Sequence, residues 1–368
     1  MKYISLFLLF PLLAFTASAQ SITVTQNPDH SGFNTTTFPS KNGTVSVLNG
    51  SIQFAGEQFF DPASWAISNQ RSKLSFLMRR EALLLNSFDD NGVKLIEKEL
   101  EFFDPSDNTL KVYQFDDGRA VVRDNVASFT FFDAKGEQVY VISNTSQSVD
   151  GERESQLSSD KAGRTIVLYN PVIAYGSDTG SRARMVFGEN HLETLFSSTE
   201  REIKSLNVSD DGAYVSMIVT TGSTDEILVF DRFGNQIFSL IPDDQVRGVT
   251  LTRNATHLTT FAGNRMQVYE ILSGDRIGSA SSQATIVYAE YLPEDDVILG
   301  LGGSLSNTGI IASPTVTAVH IGRRQIAREQ VDLPLAQLHK GSISFTRNSS
   351  GRYTVNGMNR EIEIKVGF

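Results

Sequence analysis

A four-stranded pattern recurs along this chain, and its clearest copy is residues 203–240, IKSLNVSDDGAYVSMIVTTGSTDEILVFDRFGNQIFSL. Short runs of alternating or continuous β-branched and aromatic residues are separated there by Asp210-Asp211-Gly212, by a Thr/Gly/Ser loop and by Asp231-Arg232-Phe233-Gly234. Apolar alternation with period two reads as strand, and the glycine in each break serves the positive φ of a tight turn. The unit returns at residues 112–142 and, more loosely, at 156–196, 249–277 and 289–331, while 65–100 and 342–366 add one unit at either end. In the turn between third and fourth strands, Gly92, Gly136, Gly188, Gly234, Gly274 and Gly322 stand 44, 52, 46, 40 and 48 residues apart. Four strands in about 40–50 residues is the spacing of a β-propeller blade. No convincing 3.6-residue apolar period interrupts the strands after Thr44, so the fold class is all-β.

The units number seven, and the last stops where its fourth strand is due. Residues 44–54, TVSVLNGSIQF, are strand-like, contain an Asn-Gly hairpin signal and are otherwise unassigned. The expectation is therefore a seven-bladed β-propeller of four-stranded antiparallel blades over residues 44–368, closed by an N-terminal strand from 44–54 that completes the unit at 342–366. Residues 20–43, rich in Thr, Ser, Asn and Pro, read as a flexible lead-in. Residues 1–19 read as a cleaved signal peptide: Lys2, an apolar run over residues 3–15, and Ala17-Ser18-Ala19 before Gln20. That run falls short of the roughly 20 apolar residues of a membrane span. With no Cys in the chain, a lipid-modified cysteine and disulfides are excluded, and a periplasmic or extracellular location follows as the expectation.

The turns Ser209-Asp210-Asp211-Gly212-Ala213-Tyr214-Val215 and Phe115-Asp116-Asp117-Gly118-Arg119-Ala120-Val121 resemble those of secreted bacterial β-propellers of the WD40-like and quinoprotein-like kind. The resemblance covers about 320 residues as architecture and implies a fold, because its motifs are turn chemistry. Trp-Asp and Gly-His blade marks are absent, as is the Trp-ending repeat of quinone-dependent propellers, since Trp65 is the only tryptophan. No cofactor and no catalytic residue carries over.

Removing Lys2 with the signal leaves 31 basic and 42 acidic side chains, a net charge of −11, which argues against nucleic-acid binding. The histidines, His30, His191, His257, His320 and His339, show no metal-ligand spacing, and no acidic cluster matches a calcium loop. The Gly-rich stretch 298–309 lacks the spacing, lysine and following helix of a phosphate cradle. No nucleophile elbow is present. Seven Asn-x-Ser/Thr triplets read as turn formers.

In a blade, the turns joining strands one to two and three to four lie on one face, and the two-to-three loops and blade connections on the other. The first face collects carboxylates such as Asp89, Asp133, Asp210, Asp211 and Asp231. The second carries Arg79, Arg80, Arg123, Arg182, Arg184, Arg265 and Arg360, whose guanidiniums suit an anionic glycan or acidic protein segment. The alternative is that they pair with neighbouring acids, among them Asp124, Asp150, Glu152, Asp243 and Asp244. The functional expectation is a noncatalytic binding or scaffold propeller that holds a protein or glycan on one face. The alternative is a hydrolase or lyase with its site at the central funnel.

Overall fold

The computed structural model describes residues 21–26, 35–40, 43–48, 51–54, 57–68, 72–144, 147–148, 151–152, 154–171, 181–187, 191–306, 309–337, 343–358, 360 and 362–368. Among these residues the regular structure is entirely strand. Apart from a two-stranded ladder at 147–152, the strands form eight antiparallel sheets. In chain order, sheet 1 spans residues 35–60, sheet 2 62–100, sheet 3 111–143, sheet 4 156–198, sheet 5 202–240, sheet 6 248–281, and sheet 7 286–330 with Leu335–Ala336 as an added strand. Sheet 8 combines three C-terminal strands within 344–367 with the N-terminal strand Ser21–Gln26.

Three expectations are corrected here. The strand that pairs with the end of the chain is Ser21–Gln26, in register from Ser21 opposite Gly367 to Gln26 opposite Ile362. Residues 44–54 instead contribute to the second and third strands of sheet 1, between Thr35–Ser40 and Glu57–Phe60. The stretch 20–43 thus contains two strands, and the repeat count rises from seven to eight sheets. The Thr- and Ser-rich strands at 21–26 and 35–40 have few apolar residues, so period-two alternation marks them weakly in sequence. The proposed signal peptide, His30 and His339 lie outside the described residues.

Hydrophobic packing joins the sheets in succession. Seven clusters of buried side chains each span one consecutive pair, from Ile52 and Phe54 against Leu74, Phe76 and Phe88 at the start to Leu299 and Val316 against Phe345 and Ile364 at the end. Strand alternation is what makes this possible. On Ala120–Asp124, Ala120 and Val122 pack toward sheet 2 while Val121 packs toward sheet 4. On Tyr214–Thr221, Met217 faces sheet 4 and Ile218 faces sheet 6. Each such side chain contributes about 1.5–3 kcal/mol when buried, and a sheet apolar on both faces can satisfy them only between two neighbours.

The carboxylates of the turn face largely hold their own turns. Asp89, Asp133 and Asp231 each accept, through Oδ1, the backbone N–H groups two and four residues ahead, and Asn348 does the same. The amides of Glu137 and Lys135 hold the Asp133 carboxyl below the usual carboxylate range. Gly212 has φ 72°, and a Cβ there would lie 2.6 Å from Thr165 Oγ1. It serves both the left-handed turn and the close approach of two neighbouring sheets.

Candidate functional site

The arginines of the connection face are mostly bound to the protein itself. Arg79 Nε donates to the Pro105 carbonyl at 2.8 Å and Nη2 to that of Asp107 at 3.2 Å. Arg184 Nε donates to Asn144 Oδ1 at 2.7 Å and Nη2 to the Ser143 carbonyl at 2.5 Å. Arg265 Nη1 meets Asp244 Oδ2 at 2.7 Å, a pairing of the anticipated kind. Arg123 is 2% exposed; Nε and Nη2 donate to the Thr109 carbonyl, and Nη1 to the Ser155 carbonyl at 2.6 Å and to Glu154 Oε1 at 2.7 Å. Arg360 is 7% exposed, and its Nε has no hydrogen-bond partner. Arg80 is exposed and Arg182 half-buried. The seven therefore share a face by connectivity without forming a common site: Arg79, Arg123 and Arg184 tie the links between sheets, chiefly through backbone carbonyls.

Those ties fix one link in particular, residues 101–110 between sheets 2 and 3. Asp104 Oδ1 accepts from the Ser106 amide and hydroxyl, Asp107 Oδ1 from those of Thr109, and Asp107 Oδ2 from the Asn125 amide. Arg79 holds its Pro105 and Asp107 carbonyls, and Arg123 its Thr109 carbonyl. Phe103 packs against the core below, but Phe102 is 92% exposed beside this network. Phe60 and Ile241, in or next to other links, are 67% and 64% exposed. On the turn face the exposed Phe233 lies under the Arg232 guanidinium, 5.3 Å from the ring centroid. Sequence reasoning overlooked Phe102; its signal is a Phe-Phe pair inside an Asp/Pro/Ser/Asn stretch.

A second group of polar side chains gathers near the first strands. Glu290, on Ile286–Leu292, accepts through Oε2 from the Tyr288 hydroxyl at 2.9 Å and from the Phe345 amide of sheet 8 at 3.3 Å. Burial pushes its carboxyl up to about 7, with the Asp210 charge adding to the effect; the two hydrogen bonds and Lys161 oppose it. Asp210 and Lys161, which pair with each other, come from the first turns of sheets 5 and 4.

The described histidines do not converge. His191 lies against Phe187, His257 edge-on to Tyr291, and His320 beside Asp296. Among the described residues no group of three or more His, Asp or Glu could hold a metal ion. The Gly-rich stretch opens with the strand Val297–Leu305 of sheet 7, most of it buried.

No protein-family model matches this chain, and no curated protein matches it. Among solved structures it is similar to BamB from Moraxella catarrhalis, with 14% identity, a TM-score of 0.51, and coverage of 94% of this chain and 98% of that one. A chain of the mitotic checkpoint complex also matches, at 12% identity and a TM-score of 0.48, over 81% of this chain and 85% of that one. A eukaryotic initiation factor matches at 11% identity and a TM-score of 0.46, over 81% and 88%. At such identities the likeness concerns the fold alone. With its succession of antiparallel four-stranded sheets and its likeness to BamB, the chain has an all-β, propeller-like fold.

Proposed function

We propose that this chain is a closed eight-bladed propeller, exported to the periplasm or the exterior, that holds a partner protein on its connection face without catalysis. Sheet 8 would be the last blade and Ser21–Gln26 its latch; removal of residues 1–19 leaves that strand whole. The observation that carries the binding reading is Phe102, an aromatic ring 92% exposed beside the hydrogen-bonded positions 104, 107 and 109. A large apolar side chain held on a braced link contributes nothing to the core, whereas a pre-organised aromatic is what anchors an interface at low entropic cost. The exposed Arg80, in the loop that follows Arg79, favours a partner segment that combines apolar and acidic residues. A photo-crosslinking amino acid at position 102 should give one discrete protein adduct in the cell that makes the chain, and the same amino acid at position 272, on the turn face, should not. Equal labelling at both positions, or none at 102, would refute the reading.

Glu290 is the specific observation in favour of the second reading, a hydrolase or lyase at the central funnel, because a carboxyl titrating near neutrality can exchange protons with a substrate. It also makes a prediction about stability. The folded protein binds the Glu290 proton more tightly than the unfolded chain, whose glutamates titrate at about 4.3. Stability contributed by this site is therefore full below about 4.3 and falls as pH rises from there to about 7. Glu290→Gln keeps an acceptor for Tyr288 and Phe345 but has no charge to bury. At pH 8 it should be more stable than the parent by about 2 kcal/mol, after discounting for partial exposure, with little gain at pH 4. A pH-independent difference in chemical denaturation would show that the carboxyl is ordinary. Turnover of glycan or peptide substrates by the parent that Glu290→Gln abolishes would favour the enzyme.

A further inference from the structure

Between sheets 7 and 8, opening on the turn face, lies a cleft of about 230 Å³, room for roughly seven waters. Asp295, His320, Arg323, Arg347, Tyr353 and Phe368 line it, and neither reading above uses it. Its hydrogen-bonding groups are unevenly answered. Asp295 Oδ2 accepts from Arg347 Nε at 2.9 Å and from the Tyr353 hydroxyl, so this carboxylate is already neutralised. Asp296, behind the wall, accepts from the Gly322 amide at 2.7 Å and the Tyr291 hydroxyl at 3.0 Å, and its Oδ2 faces His320 Nδ1 at 3.3 Å. The cations keep donors to spare. Among the described residues, Arg347 uses only Nε, and Arg323 gives only Nη1, to a main-chain oxygen of Phe368 at 3.1 Å. His320, packed edge-on against the Phe368 ring at 5.6 Å, has partners only at Nδ1.

We propose that this cleft binds a small oxyanion, a carboxylate or phosphate group, between the Arg323 and Arg347 guanidiniums, with His320 Nε2 as a third donor. Two forked cations from different sheets suit the paired oxygens of such a group. The Val297 and Val366 walls reduce the competition from water. The volume suits orthophosphate or a short mono- or dicarboxylate and is too small for a polymer. Because the donors come from both sides of the last sheet boundary, an anion held there would also bind the folded state selectively and stabilise it.

The test uses chain 20–368 labelled with ¹⁵N-histidine, titrated separately with phosphate and with succinate up to about 20 mM at constant ionic strength, since a single small anion is expected to bind in the millimolar range. His320 should show a saturable shift while His191 and His257, on other sheets, do not. Arg323→Gln, which in a chain ending at residue 368 also loses a pairing with the Phe368 carboxylate, should weaken binding by about tenfold, the loss of one charge-assisted contact. Arg347→Gln should do the same, and the melting temperature should rise with the anion in the parent only. Saturation by phosphate alone or by succinate alone identifies the group. Shifts that are linear, or equal at His320, His191 and His257, or unchanged in Arg323→Gln, would overturn the proposal.

Discussion

Deleting residues 20–26 should lower the melting temperature by about 10 °C, at ~1 kcal/mol for each of six paired residues and about 2 °C per kcal/mol in a chain of this size. The strand Ser21–Gln26 is the fourth of sheet 8, and without it Ile362–Gly367 becomes an open edge next to the fully buried Ile362 and Ile364. An exposed edge of this kind also templates association, so the truncated chain should aggregate on heating where the full one does not. Removing residues 1–19 alone should leave the transition where it is. A synthetic peptide of sequence SITVTQ, added in excess, should recover part of the loss. Calorimetry of the two truncations decides the matter: coincident transitions would mean that the pairing with Ile362–Gly367 contributes nothing.

The other large effect should come from Arg123→Ala, at about 3–5 kcal/mol, because a buried charge-assisted network loses its donor and leaves its acceptors unpaired. Arg123 is 2% exposed and joins three segments, the strand Ala120–Asp124 and the Thr109 and Ser155 carbonyls of the two links flanking sheet 3. Beside it the chain turns through Asn125 at φ 44° and Val126 at φ 57°. A β-branched residue resists that region, and the turn is held by bonds from the Asn125 amide to Asp107 and from the Val126 amide to Thr109. Lysine cannot reproduce the fork, so Arg123→Lys should recover less than half of the loss. By contrast, Arg80→Ala at an exposed position should stay within about 0.5 kcal/mol. Urea denaturation of the three variants measures this, and an Arg123→Ala protein as stable as Arg80→Ala would show that the network is incidental.

Most of the architecture is local in origin and therefore legible in the sequence. Alternation within Ala120–Asp124 and Tyr214–Thr221 dictates strands apolar on both faces, and such strands can be satisfied only between two neighbouring sheets. Asp133 and Asp231, each three residues before a glycine, cap their own turns through bonds that span at most four residues, so their role is readable from spacing. What only the tertiary structure decided is non-local. The partner of Ser21–Gln26 lies more than 300 residues away, and nothing in a Thr-rich hexapeptide specifies which edge it will complete. Connectivity puts the seven arginines on one face, but whether a guanidinium meets solvent or a carbonyl depends on how the neighbouring link folds back, and Arg79, Arg123 and Arg184 meet carbonyls. Glu290 reads in sequence as one more acidic residue. Its affinity for a proton comes first from burial and then from the Asp210 charge of another sheet, against the opposing hydrogen bonds from Tyr288 and Phe345. Hydration and electrostatic fields depend on distance through space, and a single sequence records only distance along the chain.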